Sequence, residues 1–262
     1  MYHNDLYYNQ DNPEIEDAQY DELMRQLKKL EAENPELITK DSPTQKVGGV
    51  AKREAGVLVK HDVPMLSLQD VFSAEEVETF VDNMQKELDN PEFVVEEKID
   101  GLSLALRYVD GELKLAVTRG DGVIQGEDVT ANAMQIKDIK KKLKEKLPYF
   151  EVRGEVYMTR EAFSLVNEKQ ELLGKRLFAN PRNCAAGTLR QLDSKITKER
   201  NLSMFILICK VEGIRIKSHT QAYEFMHKQG MKIIHSYKVC KTKDEVLQAI
   251  EEIGNRRGDL EL

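Results

Sequence analysis

A single lysine offers the clearest chemistry in this sequence. It lies in the run EEKIDG at residues 96–101, directly after the apolar, β-branched residues 93–95. Such a run predicts a buried strand, and an Asp-Gly pair predicts the turn that ends it. A lysine held rigid and partly desolvated there, Lys98, is a candidate nucleophilic amine. A lone lysine at a strand end more often extends into solvent, so the prediction depends on its neighbours.

Charged residues at the ends of other predicted strands could act with this lysine. Arg119 lies in a glycine-rich turn, from which an arginine can reach a phosphate or a sugar. Glu155 lies in a further strand candidate. Because side chains alternate along a strand, Glu96 shares the face of Lys98 and Glu97 does not. Glu96 is therefore predicted to be the site carboxylate, whereas each acid alone would be typical of a solvated strand end.

Another group of polar and aromatic residues lies near the start of the chain. Asp17, Tyr20 and Asp21 are spaced i, i+3 and i+4, which places them on one face of a predicted helix, and Tyr7 and Tyr8 lie upstream. Phenol rings stack on cations, and carboxylates accept hydrogen bonds from hydroxyls. The face therefore suits a cationic ring and a ribose diol, although alone it is more typical of a solvated face.

Composition excludes several classes of protein. The 262 residues carry a net charge of −7 and are 40% hydrophobic, which fits a globular protein and argues against a general polyanion-binding surface. The three cysteines lack CxxC spacing, which argues against a zinc site and a disulfide framework and favours a reduced, cytoplasmic setting. The start of the chain is polar and acidic, unlike a signal peptide. No apolar run approaches the ~20 residues of a membrane span.

The chain divides into three parts. Residues 1–40 form a predicted helical module, in which the helical pattern ends at Pro35. Residues 41–56 form a polar linker, and residues 57–262 form the main domain. In the main domain, Asp110-Gly111 between alternating segments predicts a β-hairpin. Further strands are predicted at 150–157, 204–211 and 231–239, and helices after Ser73, after Asn180, at 220–229 and from Thr242 to Gly254. The predicted fold class is α+β, built on antiparallel sheets.

A set of motifs then points to one family. The sequence KIDG at residues 98–101 resembles the KxDG nucleophile motif of covalent nucleotidyltransferases, the ligases and capping enzymes. That motif alone is weak. It occurs here with TRGDG at 118–122, GEDVTAN at 126–132, VRGEV at 152–156 and FANPRNCAAGTLRQL at 178–192. Together these resemble the bacterial NAD-dependent DNA ligases over essentially the whole chain.

The resemblance implies the roles of the residues near the lysine. Lys98 would attack the α-phosphate of NAD, release nicotinamide mononucleotide and form a lysyl-AMP intermediate for nick sealing by the full-length enzyme. Glu96 would accept a hydrogen bond from adenine, and Ser67 and Leu68 would line the adenosine pocket. Arg119 and Glu155 would hold the ribose and its surroundings.

The remaining roles concern metal, DNA and nicotinamide. Asp100 would orient the lysine or a metal-bound water, and Mg²⁺ would offset charge on the transferred phosphate. Arg182 and Arg190 would contact phosphates at a nick in duplex DNA. The helical module would hold the nicotinamide half, which selects NAD over ATP, through Tyr7, Tyr8, Asp17, Tyr20 and Asp21. The resemblance also implies DNA replication and repair, the cytoplasm, no membrane contact, and a monomer.

The sequence departs from the family pattern at both ends. The family's adenylation domain continues into a strand with an Asp-Gly pair and a phosphate-binding lysine, whereas this sequence stops at Leu262. The expectation is a truncated adenylation domain and a nicotinamide module incomplete at its start, either engineered or a natural paralogue. Nick sealing by this chain alone should fail, and self-adenylation should be slow or absent while NAD still binds.

Two alternatives stay open. A non-catalytic NAD-binding fragment or paralogue would use the same pocket without transferring AMP. An RNA-capping enzyme or RNA ligase shares KxDG, but the nicotinamide face of the first helix argues against it.

Overall fold

Two helices form the N-terminal part of the protein. A computed structural model describes residues 2–8, 14–45, 57–120 and 124–257. Helix α1 spans Tyr2–Tyr8 and α2 spans Asp17–Glu33, followed by a single 3-10 turn at Pro35–Leu37. The predicted helix and its end near Pro35 are therefore confirmed. The division at 41–56 stays a prediction, since residues 46–56 lie outside the described residues.

The rest of the described chain alternates short helices with antiparallel strands. Its elements are β1 (Leu58–Lys60), α3 (Ala74–Glu87), β2 (Phe93–Val95), β3 (Leu102–Val109), β4 (Glu112–Thr118), β5 (Gln125–Glu127), α4 (Thr130–Ala133), β6 (Tyr149–Tyr157), α5 (Arg160–Leu172), α6 (Pro181–Leu189), α7 (Ser194–Arg200), β7 (Ser203–Val211), α8 (His219–Lys228), β8 (Lys238–Cys240) and α9 (Lys243–Arg256). This mixture of helices and antiparallel sheets confirms the predicted α+β class.

A four-stranded sheet in the order β4-β3-β6-β7 forms the centre of the molecule. The β3–β4 hairpin turns at Asp110 and Gly111, which have φ of 51° and 75°, as the Asp-Gly pair predicts. Alternation along the strands directs residues such as Leu104, Val152 and Ile206 into the main core. The opposite face carries polar residues, among them Ser103, Arg107, Glu151, Arg153 and Glu155.

Two smaller sheets flank this one, pairing β1 with β5 and β2 with β8. The β2–β8 sheet packs with α3 and α9 around a separate cluster of Val81, Cys240, Val246 and Ala249. Between residues 2 and 257, the described helices include none that is both long and apolar enough to cross a bilayer.

Two predicted elements were wrong in extent. Of the predicted strand 231–239, only residues 238 and 239 pair in a sheet, as part of β8, because Met231, Ile233 and Ile234 are buried without a ladder of backbone hydrogen bonds. Helix α9 continues past Gly254 to Arg256, because Gly254 does not adopt the left-handed conformation that ends a helix.

Candidate active site

Lys98 lies on the connection between two sheets. Residues 96–101 leave β2 of a small sheet and enter β3 of the central sheet without regular structure. The strand at 93–95 is confirmed, but Lys98 lies three residues beyond its end and is exposed. The partial desolvation expected from the sequence is therefore not found at this exposed side chain.

The two glutamates before Lys98 are held by different parts of the fold. Glu96 Oε2 accepts a hydrogen bond of 2.5 Å from the hydroxyl of Tyr223 on α8. Glu97 is buried and accepts hydrogen bonds from Ser236 at 2.6 Å and from Arg256 at 3.0 Å. The two carboxylates thus point to opposite surroundings, as strand alternation predicted.

The residues after Lys98 are held equally firmly. Ile99 is buried against Tyr157 and Ile234. A Cβ on Gly101 would lie 2.0 Å from the carbonyl oxygen of Val156, so only glycine permits this approach of β3 to β6. Gly101 is therefore required by packing against β6 rather than by a turn. The backbone on both sides of the exposed lysine is fixed.

Glu155 on β6 is the carboxylate around which the charged residues gather. It pairs across strands with Ser103, whose hydroxyl donates a hydrogen bond of 2.8 Å to Glu155 Oε2. Burial raises the pKa of Glu155, while the Ser103 hydrogen bond and the positive charges of Lys98, Arg182 and Arg119 oppose that rise. The structure therefore brings together four of the residues predicted from the sequence.

Arg119 is positioned by its backbone at the end of β4. Its N–H donates to the carbonyl of Ser103 at 3.3 Å, and its own carbonyl accepts from His61 Nε2 at 2.8 Å. The buried ring of His61 thus fixes the arginine from the β1 side. Residues 121–123 of the same turn lie outside the described residues.

The two arginines predicted to contact DNA are both close to carboxylates. Arg182, in the first turn of α6, lies 3.6 Å from Asp100, measured from Nε to Oδ1. Asn180 caps this helix by accepting from the N–H of Asn183, as the sequence predicted. Arg190, which ends α6, lies 3.7 Å from the buried Glu127. Contact of either arginine with a nick phosphate stays a prediction.

Ser67 and Leu68 belong to an exposed segment that one arginine ties to the central sheet. Arg153 donates hydrogen bonds of 2.7 Å and 2.8 Å to the carbonyls of Val63 and Pro64. Ser67 and Leu68 follow shortly after and are exposed. Their place in an adenosine pocket stays a prediction.

The structure describes some of the side chains that were predicted to bind nicotinamide near the N-terminus. Helix α2 begins at Asp17, so Asp17, Tyr20 and Asp21 share one face. Tyr20 donates a hydrogen bond of 2.8 Å to Asn4, and Asp21 is exposed. The side chains of Asp17, Tyr7 and Tyr8 lie outside the described residues. Binding of nicotinamide by this face stays a prediction.

Sequence reasoning missed several residues that shape the site. Ser103 could have been found only with the β3–β6 register, which sets it opposite Glu155. Tyr223, Ser236 and Arg256 are distant in sequence, and no local signal marks them. The described residues contain no group of three or more histidine, cysteine or acidic side chains arranged to hold a metal ion.

Comparison with known proteins identifies two family models along the chain. Residues 56–262 match the NAD-dependent DNA ligase adenylation domain, and residues 1–48 match the DNA ligase-like, N-terminal NAD+-binding domain. The chain is 54% identical over 260 residues to a DNA ligase of Clostridium kluyveri and 48% identical over 262 residues to one of Acetivibrio thermocellus. In both cases 99% of this chain covers 39% of the relative, so the chain spans about two fifths of the relatives' length.

Proposed function

This chain belongs to the NAD-dependent DNA ligase family and contains its adenylation domain, and we propose that Lys98 is the residue that becomes adenylated. In this reaction Lys98 Nζ attacks the α-phosphorus of NAD. A bond forms between nitrogen and phosphorus, and the bond from that phosphorus to the bridging oxygen breaks. Nicotinamide mononucleotide leaves, and the lysine keeps AMP.

One observation carries this proposal: three cations from three separate elements lie near enough to the half-buried Glu155 to offset its charge. Lys98 comes from the sheet connection, Arg119 from the end of β4 and Arg182 from α6. Guanidinium groups bind phosphates by charge-assisted hydrogen bonds, and they stabilise negative charge that develops during phosphoryl transfer. A fixed backbone on both sides of Lys98 favours attack in one orientation.

The two halves of NAD would occupy the two parts of the chain. Glu96 accepts a hydrogen bond from adenine, and Ser67 and Leu68 lie along the adenosine. The match of residues 1–48 to an NAD+-binding domain supports the placement of nicotinamide mononucleotide on the N-terminal helices. There Tyr7, Tyr8, Asp17, Tyr20 and Asp21 would contact its ring and ribose.

Magnesium fits this arrangement as an ion held largely by substrate phosphates and water. Asp100, two residues after Lys98, and Glu155, whose charge Lys98 offsets, offer the oxygen atoms that Mg²⁺ accepts. When bound, the ion would offset phosphate charge. Within a full-length ligase, Arg182 and Arg190 would contact nick phosphates during DNA replication and repair. We further propose that the protein is monomeric and located in the cytoplasm.

Intact-mass spectrometry after long incubation with NAD and Mg²⁺ tests the role of Lys98. We expect a slow gain of one AMP that is absent from Lys98→Ala and preserved in Lys86→Ala, an exposed lysine on α3. Calorimetry with NAD measures in parallel whether the chain binds the dinucleotide.

The other outcomes discriminate between the alternatives. An AMP increment that persists in Lys98→Ala contradicts the assignment. NAD binding with no increment favours a non-catalytic binding module. Labelling by ATP or GTP and not by NAD favours a capping-type enzyme.

A further inference from the structure

The Glu96 carboxylate is held at one of its two oxygens. The Tyr223 hydroxyl donates to Oε2 at 2.5 Å, and His219 Nε2 lies 3.5 Å from the same atom. Each carboxylate oxygen has about two lone-pair positions. The Tyr223 hydrogen bond therefore occupies one position on Oε2, and the His219 ring lies beside the same oxygen without a hydrogen bond. Among the described residues, none forms a hydrogen bond with Oε1.

Tyr223 is a rigid donor. Its side chain is fully buried, and its ring lies between those of His219 and Tyr237, with centroids 4.4 Å and 5.1 Å away. Burial raises the pKa of Tyr223, and the hydrogen bond and charge of Glu96 raise it further. The hydroxyl therefore stays protonated at physiological pH and donates to Glu96 throughout.

Purine bases differ in the donors that they offer to a carboxylate. Adenine presents one exocyclic amine beside a ring nitrogen that accepts, so a single carboxylate oxygen satisfies it. Guanine presents a ring N–H and an exocyclic amine side by side, and the two donors match both oxygens of a carboxylate. When one oxygen already accepts from the protein, the second donor of guanine must share that oxygen, which weakens binding.

We propose that Tyr223 is a specificity-determining residue for the purine base: by donating to Oε2 of Glu96, it leaves Oε1 as the better acceptor, which admits adenine and disfavours guanine. This inference rests on the proposed function, in which Glu96 faces the base. It assigns to α8, which no sequence motif marked, a part in choosing the nucleotide.

Calorimetry with two dinucleotides that differ only in the base tests the inference. The probes are nicotinamide adenine dinucleotide and nicotinamide guanine dinucleotide, each titrated into the full chain. We expect the adenine-to-guanine affinity ratio to fall by about tenfold in Tyr223→Phe, because a charge-assisted hydrogen bond then becomes available to guanine. Tyr237→Phe is the matched control, since its ring neighbours Tyr223, and it should keep the wild-type ratio.

The outcomes separate the inference from the function beneath it. Binding of neither dinucleotide by the wild type overturns the proposed function. Wild-type preference for adenine that is unchanged in Tyr223→Phe overturns the inference alone. If circular dichroism shows that Tyr223→Phe has lost its fold, Tyr223→Met serves as a second variant without the hydroxyl. Its flexible apolar side chain fills the same space in the core. A change in stability with no change in the ratio also counts against the inference.

Discussion

In the proposed site an exposed cation, Lys98, lies near a half-buried anion, Glu155. The lysine is placed to meet a substrate, and its neighbours in sequence hold the backbone. The glutamate is placed where water is scarce, and three cations compensate for its charge in part. The net pKa of Glu155 is still raised, so the fold tolerates an electrostatic cost at this position.

We expect Glu155→Gln to stabilise the protein at neutral pH. A carboxyl with a raised folded-state pKa contributes stability below its usual value of about 4.5, and that stability is lost as pH rises through the folded pKa. The amide in the Glu155→Gln variant does not ionise, so the variant does not lose this stability as pH rises. The Tm should therefore exceed that of the wild type by about 2–4 °C at pH 8, with a smaller difference at pH 5.

Thermal unfolding at both pH values measures this effect. Glu168→Gln, an exposed glutamate on α5, should show no comparable pH-dependent difference. A lower Tm for Glu155→Gln at pH 8 would show that the three cations outweigh burial.

Sequence alone could predict the identity of the site residues better than their surroundings. The charged strand ends nominated Arg119 and Glu155, the family resemblance added Arg182 as a DNA contact, and the structure groups all three near Lys98. It could not predict that Lys98 is exposed, because exposure depends on how the segment between two sheets is tethered. Tyr223 escaped notice because a tyrosine on an amphipathic helix is an ordinary core residue until its hydroxyl partner is known.

At the scale of elements, two glycines that look alike in sequence have opposite roles. At Gly101 an added Cβ would lie 2.0 Å from a backbone oxygen of β6, which cannot move aside as a side chain can. At Gly254, within α9, nothing lies within 4 Å of an added Cβ.

Alanine at these positions should therefore act in opposite directions. Gly101→Ala should destabilise the protein by about 1–3 kcal/mol or more and weaken NAD binding, since β3 must shift away from β6. Gly254→Ala, its matched control, should stabilise by about 0.5–1 kcal/mol through higher helix propensity. Denaturant unfolding measures both. A neutral Gly101→Ala would contradict the packing argument.

Local signals predicted elements where the chemistry is local. The Asp-Gly hairpin formed as expected, and the helices predicted after Asn180 and from Thr242 begin there, each with a side-chain cap. The segment 231–237 did not form a strand, although its apolar residues are buried. Burial explains the apolar pattern there, and the segment is joined to the edge strand β7 by a backbone hydrogen bond from Ile206 to Lys232 rather than by a ladder of such bonds.

At the scale of the whole molecule, the proposed function divides NAD between the two parts of the chain that match the two family models. We expect Asp21→Asn to weaken binding of nicotinamide mononucleotide and NAD by about tenfold, because a carboxylate that accepts from hydroxyls becomes neutral. AMP affinity should not change. Calorimetry with all three ligands measures this.

Glu33→Gln, an exposed acid at the end of α2, serves as the control and should bind all three ligands normally. Equal weakening of AMP and nicotinamide mononucleotide in Asp21→Asn would argue against separate sites.

Lys98 belongs to neither of the sheets that its segment connects. Before it, Glu97 is tied to Arg256 of the α9 unit; after it, Ile99 is tied to Tyr157 of the central sheet. The two units have separate hydrophobic clusters. Lys98 therefore lies on a short segment that is tethered at each end to a different unit, and the distance between the two units determines its position. A partner that changes that distance would move the lysine without contacting it.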